Sequence, residues 1–99
     1  MISSNVSSLM SNQTYMNNNA SNVANVNTDG YVPRDTTISE TQNGSTQANT
    51  KLATDNGSEK SQTDLSKEMT DQITIAKTAE SNVQAIRTQN EMLGSLLDI

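Results

Sequence analysis

The chain has no cysteine, no histidine, no phenylalanine and no tryptophan. Without cysteine there is neither a disulfide framework nor a thiolate metal site, and cysteine usage leaves the redox compartment open. Without histidine, general acid–base chemistry loses the side chain whose proton leaves nearest neutral pH. No glycine-rich phosphate loop is present, so no catalytic, cofactor-binding or metal site is expected, and an enzyme is not the reading these residues favour. The aromatics are two tyrosines, Tyr15 and Tyr31. No run of about 18 apolar residues exists, so no segment is expected to insert in a membrane. The first residues, Met1-Ile2-Ser3-Ser4-Asn5, lack the basic and apolar parts of a cleavable signal peptide, which is the basis for expecting none.

Positive charge is also scarce. Six bases, Arg34, Lys51, Lys60, Lys67, Lys77 and Arg87, are scattered among eleven acids, for a net charge of −5. Phosphate backbones need clustered bases, so a nucleic-acid partner is not expected. No basic amphipathic patch for a membrane surface forms either.

What the chain has in quantity is short polar side chains. Asn, Ser and Thr number thirteen each, and hydrophobic residues make up 31% of the 99. A small chain this poor in large apolar groups gains little from burial against the entropy of ordering its backbone. It is expected to be marginal alone and to gain order by packing against something else.

Three parts follow one another, at about 1–31, 32–63 and 64–99. In the first, Ile2, Val6, Leu9, Gln13, Met16, Ala20 and Val23 recur at steps of four and three, which predicts one stripe of a helix. Asn27-Thr28-Asp29-Gly30 is a stop signal, and Pro33 ends regular helix by Val32. In the third part, Leu65, Met69, Gln72, Ala76, Ala79, Val83, Ile86, Asn90, Leu93 and Leu97 keep the same alternation over five heptads, with Ile73 and Leu96 widening the stripe. Ser61-x-x-Asp64 offers capping at its start. The middle part is polar, and a flexible connector or arm is expected. Asn43-Gly44 and Asn56-Gly57 are turn signals, but their flanks lack the apolar alternation of a hairpin. The fold class expected is all-α: two long amphipathic helices in a coiled-coil-like antiparallel hairpin, joined by an irregular connector. The C-terminal helix is the longer and should carry the chain past its partner.

Two segments also carry a family pattern. Ala20, Asn22, Val23, Ala24, Asn25, Asn27, Thr28, Gly30 and Tyr31 match the N-terminal signature of the bacterial flagellar axial proteins, the rod, hook and hook-associated subunits. Glu68-Met69, Ile73, Glu80-x-Asn82, Ile86, Thr88, Asn90-Glu91-Met92-Leu93 and Leu96-Leu97 resemble that family's C-terminal helix without a gap. Departures exist. The family commonly has an aromatic where Ala79 stands, and Val32-Pro33 precede Arg34 where a basic residue usually follows the motif directly.

The resemblance implies a structural subunit of the flagellar basal-body rod, exported without a cleaved signal through the flagellar type III apparatus and resident in the periplasmic rod. Its partners would be other rod or axial proteins, with copies of itself as a further candidate. The short middle part places it nearer the proximal rod members, and an accessory rod component fits too. The interface expected comprises Val6, Leu9, Met16, Ala20, Val23, Leu65, Met69, Ile73, Ala76, Ala79, Val83, Ile86, Leu93 and Leu97. Asn22, Asn25, Asn27, Thr28, Gly30 and Tyr31 form the turn motif. Among them Asn27 is the one expected to satisfy backbone groups at the helix end, while Asn22 and Asn25 are open between that role and a solvated face. Gly94 is either a close-packing point or a fraying site. Two other readings remain: a cytosolic coiled-coil adaptor that holds rod subunits, and an inner-rod subunit of a virulence secretion system. The Asn-Thr-x-Gly-Tyr segment argues against the second.

Overall fold

A computed structural model describes residues 2–42 and 44–97, with side chains from Ser4 onward. Its elements in chain order are helix α1 (Ile2–Ala24), strand β1 (Arg34–Glu40), strand β2 (Thr46–Leu52) and helix α2 (Leu65–Leu97). The helices run antiparallel: Asn19 of α1 meets Glu68 early in α2, and Asn5 meets Gln89 near its end. At 1.5 Å per residue α1 is about 35 Å long and α2 about 50 Å, so the last turns of α2 project past α1.

The strands correct the all-α expectation. β1 and β2 form an antiparallel hairpin with Arg34 opposite Leu52, Ile38 opposite Ala48 and Glu40 opposite Thr46, so the middle of the chain is not an irregular connector. The absence of apolar alternation misled because this hairpin does not pack through apolar side chains. Its inner face is threonine, and α1 meets it with hydrogen bonds. Asn18 Nδ2 donates to Thr36 Oγ1 at 2.7 Å and to Thr50 Oγ1 at 2.8 Å. Ser7 exchanges two bonds with the Thr46 backbone, and Thr46 Oγ1 donates to Ser11 Oγ. Threonine is β-branched and suits an extended backbone, so strand propensity was present without hydrophobicity. The hairpin tip closes through Thr41 N–H to Ser45 O, with Gly44 at φ +78°, where a side chain would be strained. Asn43 of the first turn signal lies outside the described residues. Asn56-Gly57 does turn, with Gly57 at φ +79°, but it sits between hairpin and α2.

Helix ends are capped from across the fold. Thr63 Oγ1 donates to Asn22 O, a carbonyl in the last turn of α1, and Ser61 Oγ donates to Asn25 O just past the helix, which also accepts the Thr28 N–H. Asp64 Oδ1 accepts the Lys67 N–H and is the N-cap of α2. The capping residues expected around Ser61 and Asp64 thus serve two helices. Gly94 has no neighbour within 4 Å of where a Cβ would stand, so nothing among the described residues packs closely against it.

The result is an elongated, flattened molecule. Its Cα atoms extend 65 × 25 × 14 Å. Domains ordinarily bury their apolar faces between packed layers; here α1 packs against both α2 and the hairpin, which do not pack against each other among the described residues.

Candidate subunit interface

The contact line between the helices is polar. On α1 it comprises Asn5, Ser8, Asn12, Tyr15, Asn19 and Asn22, spaced three and four apart. Asn5 Nδ2 donates to Gln89 Oε1, Ser8 Oγ accepts from Asn82 Nδ2, and Asn12 Nδ2 donates to Ile75 O at 2.8 Å. Asn19 Nδ2 reaches both Glu68 O and Glu68 Oε2. Every member of this stripe stands one residue before a member of the expected apolar stripe, and the same holds on α2 for Glu68, Asp71, Ile75, Asn82 and Gln89. One residue is about 100° around a helix, so the apolar stripes are turned out of the contact.

Burial records the same inversion. Ile75 is the buried apolar side chain at 2% exposure. With Pro33 it joins a buried set that is otherwise Ser11, Asn12, Asn18, Asn19, Asn22 and Glu68 among the described residues. Of the expected interface, Val6, Leu65, Met69, Ile73, Val83, Leu93 and Leu97 are exposed, Ile73 at 64% and Leu97 at 77%. Ala20 and Ala76 are exposed as well, and Leu9, Met16, Val23, Ala79 and Ile86 are half-buried. The two stripes nonetheless come together on one side of the molecule. Leu9, Gln13 and Met16 of α1 and Ala76 and Ala79 of α2 line a shallow groove floored by Asn12 and Ile75.

The turn motif works as a clasp around Asn22, which is 1% exposed. Asn22 uses its full bonding capacity: Nδ2 donates to Glu68 Oε1 and Arg34 O, and Oδ1 accepts from Arg34 N–H and Tyr31 OH. This one carboxamide joins α1, the motif, β1 and α2. Asn25 Nδ2 donates to Ser21 O, and its Oδ1 accepts from Thr28 Oγ1. Backbone satisfaction therefore falls to Asn22 and Asn25, while Asn27 stands exposed in the turn. Gly30, at φ +75°, donates its N–H to Glu59 O, and Tyr31 O accepts from Gln62 N–H. These bonds draw residues 59–62 back onto the motif and deliver α2 to α1.

Glu68 is 3% exposed and carries its carboxylate against the carboxamides of Asn19 and Asn22. A buried carboxylate is tolerated when hydrogen bonds replace its water. Beside it, Lys67 Nζ bonds Asp71 Oδ2 at 2.8 Å and approaches Asp35 of β1 at 4.0 Å. The Asp71 bond holds the Lys67 ammonium above its ordinary range. Burial, helped by Asp71, raises the Tyr15 phenol. The signal that would have found this network is the repeat of Asn5, Asn12 and Asn19 every seven residues, matched by Glu68, Ile75, Asn82 and Gln89 at the same period. Periodicity weighted by hydrophobicity passes over it.

Among the described residues no acidic, histidine or cysteine cluster could hold a metal, and no helix is long and apolar enough to cross a membrane. A comparison with curated proteins found no match. A comparison with family models matches residues 56–99 to the C-terminal region of the flagellar basal body rod FlgEFG proteins. The matched stretch holds all of α2 and the segment that clasps the turn motif. Over residues 56–99 the chain is thus similar to the C-terminal region of flagellar basal-body rod proteins, which are structural proteins of the basal body.

Proposed function

We propose that this chain is a structural subunit of the flagellar rod that polymerises through the apolar stripes of its two helices. The observation that carries the reading is the inversion of the protomer. Its helices spend their polar residues on each other and leave Val6, Met69, Ile73, Val83, Leu93 and Leu97 exposed. An apolar stripe sustained over five heptads and left in water marks an interaction surface. Other rod or axial subunits are the partners that the family match favours.

Export through the type III apparatus and residence in the periplasmic rod follow from this role. Such a channel passes an unfolded chain, and a chain with one fully buried apolar side chain outside proline among its described residues is easily unfolded. Docking of neighbours then covers the exposed apolar stripes, so helix order is coupled to incorporation.

The test is fractionation of motile cells that carry a tagged chain. Co-purification with detergent-washed basal bodies is the expected result. Recovery of all the protein in the cytosol, bound to unassembled rod subunits, would replace this reading with the adaptor. Circular dichroism of the purified chain should show helix content that rises with protein concentration.

A further inference from the structure

We propose that two copies of this chain pair through α2, antiparallel, with a two-fold axis at the level of Ser81, and that this closed pair is a holding state that must separate before incorporation. The inference goes beyond the rod reading and stands on the layers of the exposed stripe. In this register Gln72 opposes Asn90 of the second copy, so the polar members of the stripe meet each other. The small Ala76 and Ala79 oppose Ile86 and Val83, large against small. Outward, Met69 opposes Leu93 and Leu65 opposes Leu97. A shift of one heptad in one direction sets Gln72 against Val83 and Asn90 against Leu65, and in the other Gln72 against Leu97 and Asn90 against Ala79. Both bury amides against apolar groups, which costs free energy. A parallel pair sets alanine against alanine at two successive layers and leaves voids there.

The rest of the fold agrees. The partner face carries Leu9 and Met16 of α1 beside Ala76 and Ala79. The hairpin grips α1 through Ser7, Ser11 and Asn18, roughly half a turn away around the helix, and leaves that face open. Each α1 lies on the Glu68–Ile75–Asn82–Gln89 side of its α2, and an antiparallel pair brings these two sides together, so the four helices form a bundle. Area is sufficient. The chain exposes 6832 Å², against about 5,500 Å² for a compact protein of its mass. The excess on each chain is more than the roughly 800 Å² per partner that a standard-size interface buries. Glu80 meets its own copy near the axis, a like-charge contact that keeps the pair separable. A two-fold pair is closed, whereas subunits stacked along one rod share a direction, so pairing and incorporation exclude each other.

The chain has no cysteine, so each one introduced is unique. Purified Met69→Cys and Leu93→Cys chains, mixed and oxidised, should give the mixed 69–93 disulfide and little of either self-disulfide. Sedimentation equilibrium of the unmodified chain should fit a dimer of the 10.7 kDa protomer. Glu80→Gln should tighten that dimer several-fold. A monomer at every concentration, a dominant 69–69 disulfide, or unchanged or weaker association of Glu80→Gln would each overturn the proposal. So would a chain that stays monomeric until purified rod subunits are added, a result that leaves the rod reading intact. Absence from basal bodies, by contrast, would end the rod reading and leave this pair standing.

Discussion

Truncation of Asn22 probes the clasp most directly. Asn22→Ala removes four hydrogen bonds at a site that is 1% exposed. The bond to the Glu68 carboxylate is the strongest, on the order of 1.5–3 kcal/mol, since hydrogen bonds to charged groups exceed neutral ones. Glu68 is itself buried, so little water can replace the lost donor. Arg34 and Tyr31 are partly open to solvent, and water recovers much of their bonding. Together they add about 1 kcal/mol. The expected loss is therefore about 3 kcal/mol, roughly a hundredfold in the folding equilibrium. Asn25→Ala, whose bonds stay local, to Ser21 and Thr28, should lose about 1 kcal/mol and serves as the control. Both are measured as shifts in the midpoint of helix formation by circular dichroism against a stabilising osmolyte, which lets a marginal chain be followed from the unfolded side. A loss below about 1 kcal/mol for Asn22→Ala, or a larger loss for Asn25→Ala, would show that the Asn22 network does not hold the elements together.

Three further outcomes are expected. Val83→Asp with Ile86→Asp should abolish incorporation and motility, and normal swimming would remove the apolar stripe of α2 from the interface. Deletion of residues 34–52 with a short glycine–serine bridge should lower stability, because it strips the partners of Asn18 and Ser7, yet keep the Asn19–Glu68 contact; complete loss of helix on a dichroism scan would place the hairpin in the folding core instead. Lys67 and Tyr15 both have folded pKa values above their ordinary 10.5 and 10.0, so the stability they contribute is complete below pH 10 and is lost as pH rises through the folded values. Helix signal should fall from pH 10 upward and fall less in Asp71→Asn, and a flat titration of the parent chain would contradict the assignment.

Much of this protein is legible in its residues. The stripe from Ile2 to Val23 and the one from Leu65 to Leu97 give both helices, and the stop at Asn27–Gly30 places the end of the first within a few residues. The hairpin was not legible, because its threonine face pairs with Asn18, Ser7 and Ser11, and such complementarity leaves no hydrophobic period. Asn27 was the obvious helix-stop amide, yet Asn22 does the bonding, since only the fold brings Glu68 and Arg34 to it.

Sequence by itself determined that two helices exist, how long they are and which of their sides is apolar, because these depend on neighbours three and four residues away. Tertiary structure decided which side of each helix turns toward the other. An apolar stripe states only that burial is favourable somewhere. The choice of partner rests on hydrogen-bond geometry between residues some fifty positions apart, such as Asn19 with Glu68, and that choice gave the inner contact to asparagine and left the apolar sides facing out.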